Sequence, residues 1–229
     1  MVKLKKIIGK FLKRQNVFDG QRVFIIGRNK TGTTSIKRAF EDLNFQLGNQ
    51  RDAEKLMPYY KNEDFDAIVQ YCKTAQVFQD FPFSYPETFK HLDKAFPNSK
   101  FILTVRDNAE QWYNSLINFH AKRFGKGKTP SKDDLQNAEY VWRGWMWECN
   151  RLMYGTPEND PYNREQVIQS YLDYNESVKL YFRNRPNDLI IINLNEKGAY
   201  QKLMNFLNIE SPYSDFPWEN KTDLIKTKK

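Results

Sequence analysis

The stretch of sequence that decides the fold covers residues 22–35 and reads RVFIIGRNKTGTTS. Its first six residues, RVFIIG, are rich in apolar and β-branched side chains, which is typical of a buried strand. Residues 34–43 then follow a helical pattern. A strand, a tight loop and a helix in this order begin a βαβ unit. Such a loop directs several backbone N–H groups and a helix N-terminus at one point, an arrangement that suits a phosphate group.

The position of the lysine in this loop distinguishes between classes of phosphate-binding protein. Nucleoside triphosphatases place a lysine directly after the second glycine of the loop. Here Thr33 stands at that position, and Lys30 lies two residues before Gly32 instead. The spacing therefore argues against a nucleoside triphosphatase and favours a related phosphate loop with a different lysine position. A turn that only caps a helix is the alternative.

Three later apolar runs predict further strands, at residues 75–78, 100–105 and 189–194, and a helical pattern follows each run. Apolar strands separated by helices indicate a parallel sheet covered on both faces. We therefore predict an α/β fold of the P-loop type, with a central parallel sheet of about four to five strands flanked by helices. A chain of 229 residues, 40% of them hydrophobic, fits one ordinary domain. We expect that domain at residues 16–229, preceded by a basic helix at residues 1–15.

The net charge of +8 comes from the two ends of the chain. Residues 1–15 contain six lysines and arginines and no acid, and residues 221–229 contain four lysines and one aspartate. The remaining residues therefore carry a net charge of about −1, which is not the broad positive field that a protein needs to bind a nucleic-acid duplex. We expect no nucleic-acid partner.

Residues 2–14 are predicted to form an amphipathic helix, because apolar residues recur every three or four positions with lysines between them. This helix either contacts an anionic membrane surface or packs on the domain, and the sequence leaves both open.

The apolar runs of the domain are too short to span a bilayer. Cys72 and Cys149 match no metal-binding or redox spacing, so we expect free thiols, no metal and a cytoplasmic location.

Three blocks of sequence resemble elements of the sulfotransferases that use 3′-phosphoadenosine 5′-phosphosulfate (PAPS). Residues 30–35, KTGTTS, resemble the family's 5′-phosphosulfate loop, whose pattern is Lys-Thr/Ser-Gly-Thr-Thr. Residues 100–107, KFILTVRD, and 112–115, WYNS, resemble the strand-to-helix element that binds the 3′-phosphate. Residues 188–198, with FPWENK at 216–221, resemble the last strand and the C-terminal segment of small single-domain members. The resemblance covers about residues 22–222.

The resemblance implies a sulfotransferase that moves a sulfuryl group from PAPS to a hydroxyl or amine of a glycan, lipid or small-molecule acceptor. Arg106 at a strand end offers a planar fork to the 3′-phosphate, and Ser115 offers a hydroxyl. The family usually has one residue fewer between this arginine and serine, so Asn114 is an alternative to Ser115. The resemblance assigns donor binding to Arg28, Lys30, Thr31, Gly32, Thr33, Thr34, Ser35, Arg106, Ser115, Asn220 and Lys221. For Asn220 and Lys221, a polar C-terminal turn is an equally good interpretation.

Transfer to a hydroxyl needs a group that accepts its proton. Many relatives place a histidine there in a His-x-Pro element, and Asp80 stands at that position in QDFP, residues 79–82, where a predicted strand ends. The alternative role for Asp80 is to cap a turn, and Glu54 and Asp52 are the next candidates for the base. Lys30 and the loop amides are expected to stabilise the charge that develops on the bridging oxygen.

Two other functions stay open on the sequence: a nucleotide kinase on the same fold, and a non-enzymatic, membrane-associated nucleotide-binding module.

His91 and His120 lie in predicted helices, and we interpret both as structural or surface residues. An aromatic segment in the middle of the chain either lines an acceptor pocket or belongs to the core. It contains Tyr140, Trp142, Trp145, Trp147 and Tyr154.

Overall fold

The computed structural model describes residues 17–217. The predicted N-terminal helix and the predicted donor-binding residues Asn220 and Lys221 lie outside the described residues. The strands are β1 (Val23–Ile25), β2 (Val77–Gln79), β3 (Lys100–Val105) and β4 (Leu189–Asn193). The helices are α1 (Thr33–Asp42), α2 (Gln50–Glu54), α3 (Met57–Lys61), α4 (Phe65–Tyr71), α5 (Thr88–Ala95), α6 (Ala109–Phe124), α7 (Lys132–Asn137), α8 (Trp145–Tyr154), α9 (Arg164–Phe182) and α10 (Ala199–Leu207).

The four strands form one sheet in the order β2-β1-β3-β4. All neighbouring strands are parallel, and Phe24 of β1 pairs with Phe78 of β2 on one side and with Phe101 of β3 on the other. Helices connect each strand to the next one along the chain. The predicted α/β fold with a central parallel sheet is therefore confirmed.

Both faces of the sheet are covered, because successive side chains of a strand point to opposite sides. Phe24 lies in the core on one face, where Phe182 of α9 is also buried. Ile25 lies in the core on the other face, together with Phe40 of α1 and Leu203 of α10. Packing on both sides fixes the position of β1 and therefore of the loop that follows it.

A third apolar cluster lies beside the sheet and involves α6, α8 and α9. Trp112 of α6 stacks on Tyr171 of α9 with ring centroids 4.3 Å apart. Trp145 of α8 meets the ring of Phe81 edge-on at 5.6 Å. Since Phe81 follows β2 by two residues, this contact brings α8 to the edge of the sheet where the strands end. Within residues 17–217, no helix is both long and apolar enough to cross a bilayer.

Candidate active site

All four strands lead into one cavity of about 880 Å³, a size typical of ligand sites. β1 continues into loop residues 29–32, β2 into Asp80, β3 into Arg106 and β4 into Asn195, and each of these lines the cavity. The carboxyl ends of parallel strands meet at one edge of a sheet, which is where open α/β sheets bind ligands. The topology therefore brings together residues from four distant parts of the chain.

Two glycines allow the loop after β1 to lie directly on its neighbours. A Cβ at Gly27 would stand 1.9 Å from Thr104 Oγ1 of β3. A Cβ at Gly32 would stand 2.7 Å from Leu194 Cδ2, and Gly32 has a φ of 100°, which favours glycine. Larger residues at either position would push the loop away from β3 and from the residue after β4.

The first turn of α1 forms a site suited to an anion. The helix begins at Thr33, and Gly32 before it provides no side-chain cap. The first N–H groups of a helix have no partner within the helix, and the helix dipole makes this end positive. Thr33, Thr34 and Ser35 all line the cavity. The N–H groups of Thr33 and Thr34 and the hydroxyls of Thr34 and Ser35 are therefore available to a phosphate or sulfate group, whereas the Ser35 N–H already donates to the Gly32 carbonyl oxygen.

Lys30 is held in the cavity wall by contacts on both its backbone and its side chain. Its φ of 68° is an unusual value for a residue other than glycine. Arg106 Nε donates a hydrogen bond of 2.7 Å to the Lys30 carbonyl oxygen, and Lys30 Nζ lies 4.0 Å from the centre of the Phe119 ring. Burial lowers the pKa of Lys30, the nearby Arg106 lowers it further, and Asp80 acts in the opposite direction.

Asp80 lies half-buried in the cavity wall directly after β2, with a φ of 54°. Its Oδ1 accepts a hydrogen bond of 3.2 Å from Thr33 Oγ1. Burial raises the pKa of Asp80 to about 6, and the charge of Glu54 also raises it, while the Thr33 hydrogen bond and Lys30 lower it. A carboxylate with a pKa near neutral pH can both accept and release a proton under physiological conditions.

Of the other two acids considered as bases, Glu54 lines the cavity. Its side chain is buried, accepts a hydrogen bond of 2.7 Å from Tyr140, and pairs with Arg51 at 2.9 Å. Burial raises the pKa of Glu54, and these partners oppose the rise. Asp52 is not part of the cavity wall and pairs with Lys55 at 2.9 Å. The structure therefore brings Asp80 and Glu54 into the site but not Asp52.

The structure places Arg28, which was expected to bind the donor, beneath the loop and outside the cavity wall. Only 1% of Arg28 is exposed, its Nη1 donates to the Ser84 carbonyl oxygen at 3.0 Å, and its guanidinium lies 4.1 Å from the centre of the Tyr174 ring. The hydroxyl of Thr31 donates to the Arg28 carbonyl oxygen at 2.5 Å and also contacts Thr104 Oγ1. Both side chains thus hold the loop in place from within the protein.

Of the two residues assigned to the 3′-phosphate, Arg106 lines the cavity and Ser115 does not. Arg106 lines the cavity, and its backbone N–H donates to the Tyr171 hydroxyl at 3.2 Å. Ser115 lies on α6 and is half-buried outside the cavity wall, and Asn114 is exposed. Residues four apart share a helix face, so Ser115 lies on the side of α6 that carries Phe119, which lines the cavity. The assignment of Ser115 to the 3′-phosphate stays a prediction.

His120 lines the cavity, a position that the sequence did not indicate. It is 5% exposed, and its Nδ1 shares a hydrogen bond of 2.6 Å with the Tyr162 hydroxyl. Burial lowers the pKa of His120 to about 3, with a further contribution from Lys30, so the imidazole is neutral at pH 7. Tyr162 is 42 residues away in the chain, and no sequence pattern connects the two.

The aromatic segment contributes to both the cavity and the core. Tyr140, Trp145 and Tyr154 line the cavity, whereas Trp142 and Trp147 do not. Trp145 and Tyr154 also belong to the third core cluster, and the interpretation of this segment as an acceptor pocket stays a prediction. Within residues 17–217, no group of three or more histidines, cysteines or acids is arranged to hold a metal ion.

Comparison with known protein families gives a match that covers the fold and the cavity just described. A family model of the sulfotransferase domain matches residues 22–225 of the 229-residue chain. A search of the curated proteins finds no match. Because the matched residues include all four strands and the loop between β1 and α1, this chain belongs to the sulfotransferase-domain family.

Proposed function

We propose that this sulfotransferase uses PAPS as its donor and transfers the sulfuryl group to a hydroxyl of its acceptor. The observation that supports this most strongly is the hydrogen bond from Thr33 to Asp80. Thr33 opens the helix that offers its N-terminus to an anion, and Asp80 offers a proton acceptor. An anion site and a base that share one cavity are what transfer of a sulfuryl group to a hydroxyl requires.

Lys30 and the first turn of α1 are proposed to bind the 5′-phosphosulfate and to stabilise the reaction electrostatically. PAPS supplies the sulfuryl group when bound. Negative charge develops on the leaving oxygen, and the Lys30 ammonium and the N–H groups of Thr33 and Thr34 are already positioned before the reaction begins. Fixed donors and charges of this kind need no reorganisation, and they therefore lower the barrier more than water does.

Asp80 is proposed to accept the proton of the acceptor hydroxyl as the new oxygen–sulfur bond forms. With a pKa of about 6, this carboxylate is mostly ionised at pH 7–8. Glu54 already accepts from Tyr140 and pairs with Arg51, so we propose that it positions Tyr140 in the cavity wall and is not the base.

Arg106 is proposed to bind the 3′-phosphate, together with Ser115. Its Nε is engaged by the Lys30 carbonyl oxygen, and its terminal nitrogens have no hydrogen-bond partner among residues 17–217. A guanidinium can present two parallel N–H groups to one phosphate, which provides both affinity and orientation. Arg106 would therefore connect the site of the 3′-phosphate to the lysine that acts at the sulfuryl group.

The decisive test is the dependence of the melting temperature on the nucleotide. Adenosine 3′,5′-bisphosphate should stabilise the protein, because a ligand at 100 times its Kd adds about 2.7 kcal/mol to the free energy of unfolding. AMP, which lacks the 3′-phosphate, should stabilise it less at the same concentration. Stabilisation by ATP with magnesium, and none by the bisphosphate, would instead identify a nucleotide kinase.

A further inference from the structure

Two side chains that follow β1 hold the turn that carries Asp80, which comprises residues 80–84. Thr33 Oγ1 donates to Asp80 Oδ1 at 3.2 Å, at the first residue of this turn. Arg28 Nη1 donates to the Ser84 carbonyl oxygen at 3.0 Å, at its last residue. Within the turn, the Ser84 N–H donates to the Asp80 carbonyl oxygen at 2.8 Å. The bond from Arg28 therefore fixes a segment whose other end is the proposed base.

The guanidinium of Arg28 is itself held in place by the core. It lies 4.1 Å from the centre of the Tyr174 ring, and the Tyr174 hydroxyl donates to the Ile26 carbonyl oxygen at 2.7 Å. The backbone of Arg28 is fixed as well, because its carbonyl oxygen accepts from the Thr31 N–H at 3.3 Å. The side chain is therefore a rigid connection between the end of β1 and the Asp80 turn.

Arg28 has few of the contacts that usually compensate for a buried charge. Its bond to Ser84 is the single hydrogen bond of the side chain within residues 17–217, where it also has no ion pair. Its Nε is buried without a hydrogen-bond partner in the same part of the chain. A partly paired buried charge costs stability, and an apolar side chain of similar size is often tolerated at least as well. Stability alone therefore does not explain an arginine at this position.

Arg22, at the opposite end of β1, provides a comparison. Its guanidinium also lies over a ring, 4.2 Å from the centre of Phe96. It donates to three carbonyl oxygens, those of Phe18, Gly20 and Cys72. Neither Arg22 nor any of these three residues lines the cavity. Arg22 thus has the contacts expected of an arginine that only stabilises the fold.

We propose that Arg28 is a positioning residue for the reaction, whose hydrogen bond to the Ser84 carbonyl oxygen sets the position of Asp80 at the anion site. This inference rests on the proposed function, in which Asp80 is the base, and deepens it. Arg28 contacts neither donor nor acceptor and acts only through the turn. Without its bond the turn moves away from α1, and the hydrogen bond from Thr33 to Asp80 is weakened. Since this bond favours the charged carboxylate, its loss raises the pKa of Asp80.

The charged groups that act on Asp80 come from three elements. Glu54 of α2 raises the pKa of Asp80, and Lys30 of the loop and Lys37 of α1 lower it. Tyr140 also faces Asp80, but its own pKa is raised, so it stays neutral. A substitution of Arg28 leaves all four of these groups in the chain. A change in the pH dependence therefore reports the position of the Asp80 carboxyl group.

The test uses Arg28→Lys in the full chain. Lysine Nζ falls where arginine Cζ lies, so the variant keeps a positive charge over the Tyr174 ring but ends one bond short of the Ser84 carbonyl oxygen. It should lower kcat about 10- to 100-fold, because a small displacement of a catalytic group has an effect of this size. It should also move the acidic limb of the kcat/KM profile by about half a unit to one unit to higher pH. The Kd of adenosine 3′,5′-bisphosphate should stay close to that of the wild-type protein.

Further variants identify the route of the effect. In the double variant of Arg28→Lys with Thr33→Val, the limb should move no further than in Thr33→Val, because two changes that break one contact are not additive. Arg28→Met removes the buried charge and the bond together, should move the limb as Arg28→Lys does, and replaces that variant if it does not fold. Arg22→Met is the matched control. It should lower the melting temperature and leave kcat and the acidic limb unchanged.

Hydrogen exchange provides a measurement that does not depend on turnover. The Ser84 amide, which donates to Asp80 within the turn, should exchange about three- to tenfold faster in Arg28→Lys than in the wild-type protein. The amides of β3 serve as the internal reference for any change in global stability. Exchange at Ser84 that changes no more than at β3 would show that Arg28 does not hold the turn, and would overturn the inference.

The kinetic outcomes separate this inference from the proposed function. A limb that moves in Thr33→Val but stays at the wild-type pH in the Arg28 variants would overturn the inference and leave the proposed function intact. A shift in the double variant equal to the sum of the two single shifts would also overturn it. A wild-type profile without an acidic limb near pH 6 would instead contradict Asp80 as the base, and with it the proposed function.

Discussion

Thr33 and Asp80 join the loop after β1 to the residue after β2, because the Thr33 hydroxyl donates a hydrogen bond of 3.2 Å to Asp80 Oδ1. Adjacent parallel strands bring these residues together although they are 47 positions apart in the chain. A hydrogen bond to the charged form of a carboxyl group lowers its pKa. Thr33 therefore opposes the rise in the pKa of Asp80 that burial causes.

This contact predicts a shift in the pH dependence of the reaction. Thr33→Val should move the acidic limb of the kcat/KM profile from about pH 6 to higher pH by about half a unit to one unit. This range follows because a hydrogen bond contributes about 0.5–1.5 kcal/mol and one pKa unit equals about 1.4 kcal/mol. Thr33→Ser keeps a hydroxyl and should keep the wild-type limb. Thr34→Val is the control in the same loop and should weaken donor binding without moving the limb. An unchanged limb in Thr33→Val would show that the hydroxyl does not act on the base.

Lys30 is predicted to contribute to turnover more than to stability. Lys30→Ala should lower kcat about 10²- to 10³-fold, because one preorganised contact to a developing charge contributes roughly 3–4 kcal/mol. The half-buried ammonium is replaced by a smaller apolar group, so the melting temperature should change little. Lys55→Ala, at an exposed lysine that pairs with Asp52 away from the cavity, is the control. Turnover near that of the control would remove Lys30 from the mechanism.

The fold and the core of the anion site could be predicted from the sequence because their signals are local. The apolar runs of β1, β3 and β4 are bounded by turns and helical patterns, and the spacing of Lys30 and Gly32 is visible within one loop. The position of Asp80 follows from a topological rule, since parallel strands end at one edge of the sheet. Such features need only short stretches of sequence and a general knowledge of α/β folds.

Arg28 shows why the remaining site residues could not be assigned in the same way. The sequence places Arg28 beside Lys30, but its side chain lies against Tyr174, which is 146 positions away. The contact of His120 on α6 with Tyr162, which lies just before α9, likewise depends on how distant parts of the chain pack. Side-chain packing between distant helices leaves no periodic pattern in the sequence, so these roles become visible only in the structure.

Arg106 is predicted to act mainly on donor binding. Arg106→Ala should raise the Kd of PAPS. The loss in kcat/KM should be smaller with adenosine 5′-phosphosulfate, a donor that lacks the 3′-phosphate. The comparison is informative because Arg106 Nε also holds the Lys30 carbonyl oxygen. If Arg106 acts only through the loop, both donors should lose the same factor in kcat/KM. Arg164→Ala, which removes an exposed partner of Glu110, controls for the loss of a positive charge.

The final prediction concerns Asp80, which is either the general base or a residue that only stabilises a turn. Asp80→Asn keeps the size of the side chain and an oxygen that can accept from Thr33, but it removes the ionisable group. A base should give a fall in kcat of about 10²- to 10⁴-fold with donor affinity unchanged. A capping residue should instead cost about 1 kcal/mol in the free energy of unfolding with turnover nearly intact.

The pH dependence of stability provides a second measurement on the same variant. The pKa of Asp80 is raised from 3.8 to about 6 in the folded protein, so the folded state binds this proton more tightly than the unfolded chain does. The stability of the wild-type protein therefore includes a contribution that is lost as the pH rises from about 4 to above 6. The asparagine of Asp80→Asn does not titrate, so the variant does not lose this contribution. Its melting temperature should therefore rise relative to that of the wild-type protein as the pH increases from about 4 to above 6. A variant that retains most of its turnover would transfer the role of base to Glu54, for which Glu54→Gln is the corresponding test.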